Sequence, residues 1–279
     1  MRVLFFIAVF LFLVACGEKP QPNQDLLSAY ELLKKGEFEK AQTLADSAEV
    51  LTEADSALYC IVSGAIAVVT FDLSFCDTVG IEKCINLYDD DKEKLAWAYL
   101  IRGGVMYGLD SWYDAVLDYR HAEKLAEDTD CNELKFIMNF RLAHCNINSY
   151  NFEVYNELSE KMKKYAVTSF DSAEYYYLKG AMYECGLISV DSAKYYIKKA
   201  VECVENAHDK TYVDVFFYYS YAELICDEDD SLAEKYILKS FEFDTLRQAY
   251  SVLGKIYLKR GDDSTAKQYF AKSSKGNYW

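Results

Sequence analysis

The groups in this 279-residue chain that could do chemistry are three histidines, nine cysteines and an excess of carboxylates. His121, His144 and His208 belong to no metal-binding spacing and to no recognisable nucleophile arrangement. The cysteines form no CxxC pair and no zinc spacing. Cys131 and Cys145 are expected far apart along one helix, where they cannot meet. Cys60 with Cys84 could bridge one hairpin; the alternative is that all serve as small buried hydrophobes. Asp89-Asp90-Asp91 and Asp227-Glu228-Asp229-Asp230 lack the alternating acids, central glycine and closing glutamate of a calcium loop, and read as solvated loops that cap helices. A phosphate-cradling glycine loop, a nucleophile elbow and a zinc-protease helix are all missing from the sequence. These residues predict no enzyme, no catalytic residue, no cofactor and no metal site.

The elements are legible from spacing. Both prolines, Pro20 and Pro22, lie in the polar stretch from Glu18 to Gln24, and a proline-free remainder suits helices, in which an interior proline costs about 3 kcal/mol. Asp-Ser-Ala recurs at 55–57, 171–173 and 191–193, with Asp230-Ser231-Leu232 and Asp263-Ser264-Thr265 close to it. Each is expected to open a helix as an N-cap, since Asp and Ser oxygens accept the first free backbone N–H groups. Gly36, Gly186 and Gly261 fall at expected turns.

The run Tyr250-Ser251-Val252-Leu253-Gly254-Lys255-Ile256-Tyr257, followed by Ala266 and Phe270, resembles the tetratricopeptide repeat: aromatic-x2-Leu-Gly-x2-Tyr, then Ala-x3-Phe. The pattern encodes two packed helices, with glycine at their closest approach. Gly103 with Ala115 and Tyr119, and Gly180 with Ala193 and Ile197, repeat it. Degenerate copies centre on Ala29, Gly64, Ala143 and Tyr221, with successive spacings of 33 to 41 residues. The resemblance implies an all-α fold, an α-solenoid of about seven tetratricopeptide-like helical hairpins over residues 26–279.

Residues 1–15 carry one positive charge, Arg2, and an apolar run too short to span a bilayer, which reads as a secretory leader. Leu13-Val14-Ala15-Cys16-Gly17 resembles the bacterial lipobox. That resemblance implies cleavage before Cys16, acylation of its thiol and new amino terminus, and a lipid anchor with a flexible tether over residues 16–25. Localisation in the cell envelope follows, with the outer membrane favoured and the periplasmic or surface face left open. Removing the leader takes the net charge from −15 to −16. No stripe of Lys and Arg is present, so no nucleic-acid partner is expected.

In tetratricopeptide proteins the first helices line a groove at places three before, one after and four after the glycine. That resemblance nominates Leu100 and Tyr107, Phe140 and His144, Tyr177, and Tyr218, with Trp97 beside them. The first helices are apolar nearly all round, so either neighbouring repeats bury both faces or the second face is a contact surface. The leading reading is a membrane-anchored scaffold binding a protein or peptide segment in the envelope, with self-association through an uncapped C-terminal hairpin also open. A stand-alone periplasmic sensor, resembling those of tetratricopeptide-containing helix-turn-helix regulators, is second. A glycan-binding surface lipoprotein is third.

Overall fold

The computed structural model describes residues 21–70, 72, 78–148, 151–186, 189–207, 215–243 and 245–274. Residues 1–20, and with them the leader and Cys16, lie outside the described residues, as does His208. The described residues are all-α, with fourteen helices and no strand. In chain order they form seven hairpins: α1 (Gln24–Leu33) with α2 (Phe38–Ser47), α3 (Glu53–Thr70) with α4 (Thr78–Leu87), and α5 (Lys92–Gly108) with α6 (Trp112–Ala126). Then follow α7 (Asn132–Asn148) with α8 (Phe152–Tyr165), α9 (Ser169–Cys185) with α10 (Val190–Glu205), α11 (Val215–Ile225) with α12 (Asp230–Ser240), and α13 (Arg247–Lys259) with α14 (Asp263–Ser274). This is the tetratricopeptide-like, α-solenoid class expected from the repeats, and every repeat marker falls on the first helix of its pair. The chain divides into two compact units, residues 1–134 and 135–279.

Helix starts differ from expectation by a few residues. The Asp-Ser-Ala triplets lie inside the helices, and the cap is two or three residues before the Asp: Thr52, Thr168 and Ser189. At α9, Asp171 N donates to Thr168 Oγ1 at 3.0 Å while Thr168 N donates to Asp171 Oδ2 at 2.7 Å, a reciprocal capping box. Thr52 and Asp55 do the same at α3. Ser189, Asp229 and Asp262 accept from the third N–H of their helices. The folded body also starts earlier than position 26: Asn23 caps α1, and its N–H donates to the buried Asp55 carboxylate at 2.6 Å.

Turns between paired helices use the left-handed region at Gly36 (φ 71°), Asp110 (φ 58°) and Gly261 (φ 81°). Glycine enters that region without a Cβ penalty, and Asp is among the few other residues that tolerate it. Gly186 ends α9 with ordinary helical geometry instead.

In the first unit α3 is the core helix. It has the length and apolarity to cross a bilayer, with mean hydropathy 1.3, yet eleven of its residues are buried, packed by α1, α2, α4 and α5. A Cβ on Gly103 would fall 2.6 Å from the Tyr119 ring on α6, and one on Gly104 2.5 Å from Val68 on α3. Arg102 fastens three helices: its Nε and Nη2 donate to the buried Asp118 carboxylate on α6 at 2.8 and 2.7 Å, and its Nη1 to Glu82 on α4 at 2.8 Å. The second unit repeats the glycine device, with Gly180 against Ile197 and Gly254 against Phe270. No disulfide joins the seven described cysteines, Cys60 and Cys84 included; the Cys84 thiol donates to the Ala57 carbonyl at 3.4 Å.

Candidate interaction face

Of the seven nominated groove residues, the structure places four in the interior. Trp97 and Leu100 have no exposed surface, Tyr218 keeps 2% and Phe140 5%. The reason on α5 is geometric: Leu100 and Gly104 belong to the face turned to α3, and the Gly104–Val68 contact leaves no groove there. Tyr107, His144 and Tyr177 are half-buried. His144 packs edge-on to Phe140 at 4.7 Å between ring centroids. Burial, reinforced by the Arg141 guanidinium, pushes its imidazole down to about 3, so it is neutral at physiological pH. Tyr107 packs on Trp112 at 5.0 Å beside the α5–α6 turn, where Leu109 and Tyr113 are exposed, Tyr113 at 75%.

The aromatic pairs reveal the register. Four places before the marker, Tyr99, Tyr176 and Tyr250 lie against rings of the second helix, His121 at 5.2 Å, Tyr196 at 6.4 Å and Tyr269 at 6.1 Å. On α11 that part is played by Tyr218, stacked at 6.0 Å on Tyr236. The marker of α11 is therefore Ala222, fully buried, and the assignment to Tyr221 is one residue early. Tyr221 is no small residue at a close approach; it packs edge-on to Tyr236 at 5.2 Å. The correction moves the first-helix face of α11 from Tyr218, Ala222 and Ile225 to Tyr219, Glu223 and Cys226.

With that register, α9 and α11 present one continuous surface in the second unit. Tyr177 on α9 packs edge-on to Phe217 at 5.3 Å, and its hydroxyl lies 3.4 Å from Ser220 Oγ. Glu184, about two turns further along α9, is exposed. Its carboxyl is raised above the usual range by burial of its oxygens and by the charge of Glu223. Tyr219 is half-buried, and burial together with its hydrogen bond to Glu223 raises its phenol strongly. The result is a tyrosine-rich surface on which Glu184 lies in the repulsive field of the Glu223 carboxylate, a repulsion that an incoming cation would relieve. Among the described residues no group of His, Cys, Asp and Glu could hold a metal ion. The acidic loops instead act as caps and ion pairs: Asp91 accepts from Lys94 N at 3.1 Å, and Asp230 from Arg260 Nε at 2.8 Å.

Paired helices in register, glycine at the close approach and an aromatic pair beside it define the tetratricopeptide class of helical-repeat fold. Among solved structures, the chain resembles a Rap protein complexed with Competence and Sporulation Factor. The TM-score is 0.61 at 16% identity, over 89% of this chain and 74% of that one. A tetratricopeptide repeat protein from Parabacteroides merdae ATCC 43184 is similar with TM-score 0.51 at 15% identity, over 91% and 93% of the two chains. Comparison with protein-family models and with curated proteins finds no match.

Proposed function

We propose that the chain is an interaction scaffold of the cell envelope, held to a membrane through acylated Cys16, that captures a partner polypeptide on the α9–α11 face. The carrying observation is that three contacts share the successive first helices α9 and α11: Tyr177 with Ser220, Tyr219 hydrogen-bonded to Glu223, and Glu184 in the field of Glu223. Half-buried tyrosines supply contact area at low entropic cost, and interfaces are enriched in them. The two carboxylates select a segment bearing lysine or arginine, and the net charge of −15 favours approach of a basic partner. The resembling Rap protein holds a bound factor, in keeping with capture of a partner by arrays of this fold.

The test is charge reversal. The double variant Glu184→Lys with Glu223→Lys is expected to lose crosslinked partner in intact cells, with helicity kept and the melting temperature moved by only a few degrees. Undiminished capture would overturn this reading of the face.

A further inference from the structure

The second hairpin lacks the stacked tyrosine pair that hairpins five, six and seven carry, and a cleft lies at that place. In hairpins five, six and seven, the tyrosine four places before the marker stacks on a tyrosine of the second helix: Tyr176 on Tyr196, Tyr218 on Tyr236, Tyr250 on Tyr269. The residues after those second-helix tyrosines are Ile197 and Ile237, both fully buried, and the half-buried Phe270, each followed three places on by a small residue, Ala200, Ser240 or Ser273. On α4 the corresponding pair is Ile81 and Cys84, each 1% exposed. The residue before Ile81 is Gly80, and the residue four before Gly64 is Cys60. Both rings of the pair are thus deleted. The nearest neighbour of a Cβ on Gly64 is Ile101 of α5, at 2.9 Å, rather than a residue of α4.

What remains is a cleft of about 570 Å³ bordered by Cys60, Gly64, Gly80 and Ile81, with Ser56 and Lys83 at its exposed rim. The volume lies in the range of small-ligand sites, roughly 300–1,000 Å³. We propose that this cleft receives one aromatic side chain, tryptophan or tyrosine, of a partner polypeptide. The ring takes the place that a tyrosine pair occupies in hairpins five, six and seven, against the same kind of helix–helix seam. The open rim lets the partner backbone continue past Ser56 and Lys83, which suits a side chain projecting from a polypeptide. This inference does not depend on the α9–α11 face.

The probes are N-acetyl-tryptophanamide and N-acetyl-tyrosinamide, which mimic the residues within a chain, and free tryptophan, added to the folded protein. Binding is read by saturation-transfer NMR and by protection of Cys60 from iodoacetamide. Saturable binding of a blocked amide is expected, at least tenfold weaker in Cys60→Tyr, whose new ring fills the cleft, and retained in Cys60→Ser. Should Cys60→Tyr fail to fold, iodoacetamide-modified wild-type protein, in which the adduct occupies the cleft, is expected to lose the same binding. No saturable binding of either amide, binding undiminished by filling the cleft, or binding of free tryptophan alone would each overturn the proposal.

Discussion

Trp97 is the residue at which an apolar groove and an apolar core make opposite demands. It is fully buried, so Trp97→Ala should cost about 3–5 kcal/mol of stability, read by denaturant unfolding, where a groove residue would cost little. Asp55 carries a second residue-scale expectation. Its carboxyl is held below its ordinary value of 3.8, chiefly by the N–H of Asn23, with Thr52 and Leu51 adding theirs. A depressed carboxyl stabilises the fold above its unfolded pKa, and that stability is lost as pH falls through the folded value. Wild type should therefore lose stability below about pH 4 more steeply than Asp55→Asn, which should be less stable at neutral pH and flatter in acid; parallel curves from chemical denaturation between pH 2 and 7 would refute this. The lesson of Trp97, Leu100, Phe140 and Tyr218 is that residue type reports burial well and which surface does the burying poorly. An apolar position on a helix that is apolar all round faces either the groove or the next helix, and only three-dimensional packing decides.

At the scale of elements, much was legible before any coordinates. Glycine and alanine markers found six of the seven first helices, because a close helix–helix approach admits only a small side chain, as the contacts of Gly103, Gly180 and Gly254 show; the remaining helix, α11, was marked at Tyr221. The register of α11 was misplaced by one because Tyr221 and Ala222 both fit the spacing, and the distinguishing signal was the tyrosine four places earlier. That signal was present in the sequence at Tyr99, Tyr176, Tyr218 and Tyr250. Helix starts were misread by up to three residues because Asp favours both the cap and the third position, where it closes a capping box with Thr. Thr168→Ala is accordingly expected to cost about 1 kcal/mol. Arg102→Met should cost more, about 2 kcal/mol or above, because it strands the buried Asp118 carboxylate. Both are read from urea midpoints, and equal losses would argue that Arg102 acts only as a surface charge.

At the scale of the molecule, the structure shows the repeat array of the proposed anchored scaffold, and the leader and acylation of Cys16 are the proposed part. Cys16→Ala should move the protein from the membrane to the soluble fraction after a carbonate wash; retention with the membrane would refute acylation at that cysteine. The charge of the chain predicts that partner capture weakens as salt rises from 50 to 500 mM, since exposed ion pairs are screened over about 10 Å at 0.1 M. The most direct measurement places a photocrosslinking amino acid at Glu223 on the α9–α11 face and, as control, at Lys198 on the exposed side of α10, in otherwise intact anchored protein in living cells. The account predicts a discrete adduct from position 223 that is absent from 198 and suppressed by Glu184→Lys. An adduct from 198 and none from 223 would contradict it.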